Sequence, residues 1–164
     1  MKSIRIIGIG GQGIAFSGWL IGYAATLSGY FASVHHSYGA EVRGGTVISN
    51  IVIDSNPIEN PYRDKFDVYL VLHSFGWKHV YIERDEIIIA DRDIAGHGAP
   101  DDIDIDWRPF DKVAHKEDLP INIIALGYLA KLGVVSYDML KKAIETRGKG
   151  IEKSLMALET GYNL

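Results

Sequence analysis

Gly8, Gly10 and Gly13 satisfy G-x-G-x-x-G, and they sit between a short β-branched run and a stretch of helical character. In that context glycines do chemistry. They let the backbone turn tightly and come close to a ligand, while unpaired amides and the positive end of the helix dipole attract an anion, often a diphosphate. The dinucleotide version of the motif also needs an acid about 20 residues further on, at the end of the second strand, to hold the ribose hydroxyls. Val34, His35 and His36 occupy that place here, and no carboxylate occurs before Glu41. The nicotinamide reading therefore lacks its specificity-giving residue. A second reading stays open, in which Gly11 and Gly13 only allow close packing of helix on strand.

A second constellation follows in SYGAEVRGG, Ser37 to Gly45, where a carboxylate and a guanidinium stand two residues apart with glycines on both sides. Arg43 can grip a phosphate or carboxylate with two parallel hydrogen bonds, and Glu41 can hold Arg43 or a partner's base. An internal Glu41–Arg43 pair that fixes the loop is the alternative. Ser37 lacks the G-x-S-x-G elbow of a nucleophile. Tyr38 suits stacking on a base or aromatic side chain, or filling its own loop. His35 and His36 are adjacent on a strand, so their side chains point to opposite faces and do not chelate one ion. The acidic run Asp101, Asp102, Asp104 and Asp106 lacks the glycine and final Glu of a calcium loop. No metal site is assigned.

The elements that must position these residues read as α/β. Ile4 to Ile9 has the length and β-branching of a strand buried on both faces. Gln12 to Leu27 reads as a helix and Tyr30 to Val34 as a second strand, which together make one β-α-β unit. Gly45 to Ile53, Asp67 to Leu72 and Glu86 to Ala90 are further strands, with a short helix at Ser74 to His79. Gly96 to Asp118 reads as an exposed excursion rich in Gly, Pro and Asp. Asn122 is placed as the cap of a helix reaching about Leu132, Ser136 caps another that stops near Gly148, and a final helix runs from Gly150 toward Gly161. The expectation is a Rossmann-like three-layer α/β/α fold with a mostly parallel sheet, residues 1–164 forming one domain.

Composition narrows the function classes. A net charge of −4 with no basic block gives no footprint for nucleic acid. The cysteine count is zero, which removes disulfides, thiolate zinc sites and cysteine-held clusters from this chain. Ile6 to Val34 carries no formal charge, but Gly8 to Gly13 interrupt it and the apolar remainder is short of the roughly 20 residues a membrane span needs. A soluble cytoplasmic chain without membrane insertion is expected. The helix over Gln12 to Ser28 has no charged residue on any face. A helix apolar all round is buried all round, so one face should meet the sheet and another a partner subunit. Gly18, Gly22 and Ala25 form a smooth stripe along it.

With GIGGQGI at Gly8 to Ile14 and SYGAEVRGG at Ser37 to Gly45, the sequence resembles the gamma subunit, or equivalent domain, of the 2-oxoacid:ferredoxin oxidoreductases. Pro57-Ile58, Asp67 before an apolar strand, Asn122, ALGYLAKLG and Gly161 follow the same family. The resemblance implies a complex in which thiamine diphosphate decarboxylates a 2-oxoacid, iron-sulfur clusters pass electrons to ferredoxin or flavodoxin, and the acyl group goes to coenzyme A. Thiamine-binding alpha and beta subunits and a ferredoxin-like delta subunit are the implied partners. This chain has no Gly-Asp-Gly motif for thiamine diphosphate, so it holds none of these cofactors alone and is inactive by itself. The residues expected to face partners or lend cofactor contacts are Gly8, Gly10, Gly11, Gln12, Gly13, Ser37, Tyr38, Gly39, Glu41, Arg43, Gly44 and Gly45. Which 2-oxoacid is used, and the stoichiometry, lie on the partner chains. An autonomous nucleotide-binding enzyme using the Gly8 to Gly13 turn is the rival.

Overall fold

The β-branched run near the start forms the centre of a six-stranded sheet. A computed structural model describes residues 1–40, 44–83 and 85–164. The elements are β1 Lys2–Ile9, α1 Ile14–Leu27, β2 Phe31–Tyr38, β3 Thr46–Asp54, β4 Val68–Val71, a 3-10 helix Ser74–His79, β5 Ile87–Asp91, β6 Asp106–Arg108, α2 Phe110–Glu117, α3 Ile121–Lys131, α4 Tyr137–Arg147 and α5 Ile151–Tyr162. The strand order is β2-β3-β1-β4-β5-β6. The pairs β1–β4, β4–β5 and β5–β6 are parallel, whereas β3 runs antiparallel to both β1 and β2.

That insertion alters the expected β-α-β unit. β1 and β2 point the same way but are not neighbours, because β3 folds back from β2 and fills the space between them. The turn between β2 and β3 is too short for a parallel crossover, so the antiparallel pairing follows from its length. β2 also extends beyond Val34 to Tyr38, and its register sets Tyr38 opposite Val47 and Phe31 opposite Asp54.

Alternation along the strands divides the core in two. Ile4, Ile6, Ile51, Leu70 and Ile89 face the five α-helices. Ile7, Ile48, Tyr69, Val71 and Ile88 face the other way, where Trp77 of the 3-10 helix and coil residues such as Ile103 and Ile105 cover them. The third layer is therefore thin. The region expected as an excursion contributes to both sides: β6 adds an edge strand and α2 packs Phe110 into the helical core. Asp91, wholly buried at the end of β5, makes this possible by accepting from the amides of Asp93, Ile94 and Asp111, the last in the first turn of α2.

α3 and α5 cross at a glycine contact. A side chain at Gly127 would meet the Leu158 carbonyl, and one at Gly161 the Ile124 carbonyl. Gly161 thus lies inside α5, and its role is close approach of two backbones.

Candidate functional site

β1 delivers its C-terminal end to the glycine turn, and the turn is held by its own glutamine. The Gln12 side chain accepts from the Ile9 amide at 2.8 Å and donates to the Leu72 carbonyl at 2.9 Å, which bridges the ends of β1 and β4. Gly8 has to be glycine because a Cβ there would collide with Gln12 and Ile14. Gly13 is the cap residue of α1 with φ 74°, in the left-handed region that disfavours side chains, and no side chain caps the helix among the described residues. Among the described residues the positive end of α1 stays open at the turn.

Asn122 secures that turn from below. It is not a cap: Pro120 precedes the first residue of α3, and Asn122 lies one position inside the helix, buried. Its amide donates to the Gly13 carbonyl and to Ser17 Oγ, both at 3.2 Å. A Cβ on Gly13 would come within 2.5 Å of the same amide nitrogen. The polar residue in INIIALGYLAK was the available signal, since a buried amide needs partners.

The second motif arrives beside the first. Ser37 and Tyr38 are the last residues of β2, and the Gly39 amide donates to the Thr46 carbonyl at 2.7 Å. Gly44 has φ 66°. The Gly10 amide donates to the Gly45 carbonyl at 3.0 Å, so the two glycine-rich segments are joined by a backbone hydrogen bond. Gly8, Gly10, Gly11, Gln12, Gly13, Gly39, Gly44 and Gly45 therefore gather at one end of the β1–β3–β2 half of the sheet. Glu41 and Arg43 lie outside the described residues. The two histidines separate as expected: His35 packs on Tyr62 in a tilted arrangement with ring centroids 5.2 Å apart, whereas His36 approaches α1 near Gly18. Burial, then the neighbouring His35, pushes the His36 pKa down.

α1 meets its own sheet through the small residues. Added side chains at Gly18 and Gly22 would strike Ser49 and Val34, so that part of the stripe serves packing within the chain. The opposite side is aromatic. Phe16, Trp19 and Tyr23 stack in a ladder with centroids 5.9 and 5.2 Å apart, the Arg147 guanidinium lies 3.8 Å over Phe16, and Trp19 is 43% exposed.

Among the described residues no group of three His, Asp or Glu could hold a metal ion, and no helix is long and apolar enough to cross a membrane. One strongly perturbed ionisation is structural. Burial, then a hydrogen bond to Asp106, raises the Tyr128 phenol to about 12, and its hydroxyl donates to Asp106 Oδ2 at 2.5 Å beneath Arg108.

These loops and this sheet define a class. The chain belongs to the pyruvate ferredoxin/flavodoxin oxidoreductase family, whose model matches residues 3–164. Within that class it is a gamma-type subunit of the 2-oxoacid:ferredoxin oxidoreductases, and the rival autonomous enzyme is not favoured. It is 35% identical to the 2-oxoglutarate synthase subunit KorC of Methanocaldococcus jannaschii, with 99% of this chain and 93% of that one covered. A keto/oxoacid ferredoxin oxidoreductase gamma subunit from Geobacter sulfurreducens superposes with a TM-score of 0.81 at 25% identity, covering 99% of this chain and 94% of that one. The fold also recurs in the 2-oxoglutarate:ferredoxin oxidoreductase of Magnetococcus marinus, solved with 2-oxoglutarate, coenzyme A and succinyl-CoA. There the TM-score is 0.85 at 23% identity, with 99% of this chain but 30% of the larger one covered.

Proposed function

We propose that the whole chain acts as one domain that completes a cytoplasmic 2-oxoglutarate:ferredoxin oxidoreductase, with the joined glycine-rich segments forming its working edge. The observation that carries this reading is the Gly10–Gly45 hydrogen bond, which makes one surface of two motifs more than 20 residues apart in sequence. The choice of 2-oxoglutarate rests on the extent of the likeness to the archaeal KorC subunit.

Thiamine diphosphate and the iron-sulfur clusters belong on partner subunits in this reading, because the chain has no cysteine to ligate a cluster. Alpha and beta subunits hold the thiamine cofactor, a ferredoxin-like delta subunit holds clusters, and ferredoxin or flavodoxin accepts the electrons. This chain supplies backbone amides of the glycine turn, the open positive end of α1 and the Arg43 guanidinium toward coenzyme A or the thiamine site. Tyr38, Glu41 and the uncharged aromatic side of α1 face the partners.

Purification from the native source is expected to bring down a thiamine diphosphate protein and a cysteine-rich ferredoxin-like chain. Recovery of this chain alone, turning over a nucleotide-linked substrate, would refute the reading. In the assembled complex Arg43→Ala is expected to leave subunit composition normal while turnover falls at least tenfold. Loss of assembly instead would make Arg43 a scaffold residue.

A further inference from the structure

Arg5 sits in the middle of the central strand, on the face that the α-helices do not cover. It is 9% exposed. Its Nε donates to Asn50 Oδ1 at 2.7 Å, one terminal nitrogen donates to the His79 carbonyl at 3.1 Å, and its plane lies 4.3 Å from the Phe66 ring centre. Two of the five N–H donors of a guanidinium are thereby used. Among the described residues no carboxylate comes within ion-pair distance of it. Asp64 acts on it only from further away. A buried cation without a direct counter-charge is costly, and something should offset that cost.

The guanidinium lines an open cavity of about 430 Å³. Ser37 and Asn50 line it from β2 and β3, and Arg63 and Lys65 line it from the segment joining β3 to β4. The Ser37 hydroxyl and the Asn50 side-chain NH₂ make no hydrogen bond among the described residues, and Asn50 is engaged only as an acceptor for Arg5. Lys65 is paired with Glu83, while among the described residues Arg63 has the Tyr62 carbonyl and Met1 sulfur as partners. Donors with capacity left over from their protein contacts thus converge on this water-accessible space from two separate elements, and among the described residues Asp64 is the single carboxylate lining it. Donors on two sides suit a tetrahedral oxyanion better than a planar carboxylate.

We propose that this cavity binds a phosphoryl group on a small ligand, with Arg5 as the principal contact and Ser37, Asn50 and Arg63 as flanking donors. The site lies on the sheet face rather than at the glycine turn, and it stands or falls apart from the subunit reading because it is measured on this chain without partners.

The test is calorimetric titration of the full chain with inorganic phosphate at constant ionic strength set by sodium chloride, with acetate as the planar control. Saturable one-to-one binding is expected for phosphate, at least tenfold tighter than for acetate. Arg5→Gln should weaken phosphate binding at least tenfold. Should that variant fail to fold, Ser37→Ala and Arg63→Ala decide instead, each with an expected loss of several-fold at an unchanged circular dichroism spectrum. Absence of phosphate binding by the unaltered chain, equal affinity for acetate, or unchanged affinity in all variants that fold would overturn the proposal.

Discussion

α1 and α3 carry the same sequence signature and meet different fates. Both are apolar around their whole circumference, with no charged residue in α1 and only the final Lys131 in α3. α3 is enclosed by its own chain: every residue from Asn122 to Ala130 is buried, and the glycine crossing seats α5 directly on its backbone. α1 is enclosed on the sheet side and beside α4, yet it leaves Trp19 exposed between the half-buried rings of Phe16 and Tyr23. An uncharged helix therefore reports that something covers it. Whether the cover is intramolecular depends on a second element carrying a glycine in register, which α3 has and the outer face of α1 lacks.

Disrupting the enclosure of α3 should do most damage. Gly161→Leu forces α5 away from the Ile124 carbonyl, and a loss of about 3 kcal/mol is expected, seen as a melting temperature lower by roughly 10 °C. A melting curve that did not move would mean that the helices cross elsewhere. Next comes the link between the two helices. Asn122→Ala strips donors from the Gly13 carbonyl and Ser17 Oγ, and urea unfolding should show a loss of about 1–3 kcal/mol. Trp19→Glu removes the middle ring of the aromatic ladder and should cost the isolated chain about 1–2 kcal/mol, while abolishing recovery of partner subunits in a pull-down. Retained recovery would place the partner on another surface.

The smallest effect concerns His36, an exposed residue of β2 whose ring reaches toward α1 near Gly18. Its folded pKa lies below the ordinary value of 6.5 through burial and His35, so the unfolded chain binds the proton more readily. Stability is then fully present above pH 6.5 and declines as pH falls through that value. Urea midpoints between about pH 7.5 and 5.5 should show a shallower decline in His36→Gln. An identical slope would assign the decline to His79, whose pKa is lowered the same way.

Much of the frame was legible because burial on both faces leaves long β-branched runs. β1, β3 and β4 fell within a few residues of their expected bounds, as did α1 and α4. β2 was cut short at Val34 because His35 to Tyr38 lie exposed along a sheet edge and carry no apolar signal. β6 escaped notice for a related reason: Asp-Trp-Arg is too short to alternate, and Asp106 looked like part of a solvated acidic run when in fact it accepts from Tyr128. The insertion of β3 between β1 and β2 leaves no trace in composition, since strand order is decided by pairing across distance. At the candidate site the glycines were readable from type and spacing. The structural bonds of Gln12 and Asn122 were not legible, because a side chain that satisfies buried backbone groups looks the same in sequence as one awaiting a ligand.

The central position of β1 has a consequence for how the chain is made. Its two neighbours, β3 and β4, lie about 45 and 65 residues downstream, and Lys2 Nζ donates to the Val134 carbonyl at 3.0 Å. During synthesis β1 therefore waits for partner strands made about 45 and 65 residues later, with Arg5 as the one charge among its isoleucines, and it gains its helical cover later still. Loop closures of that span are slow, so during synthesis the apolar residues of Ile4 to Ile9 stay open to aggregation until β3 and β4 arrive.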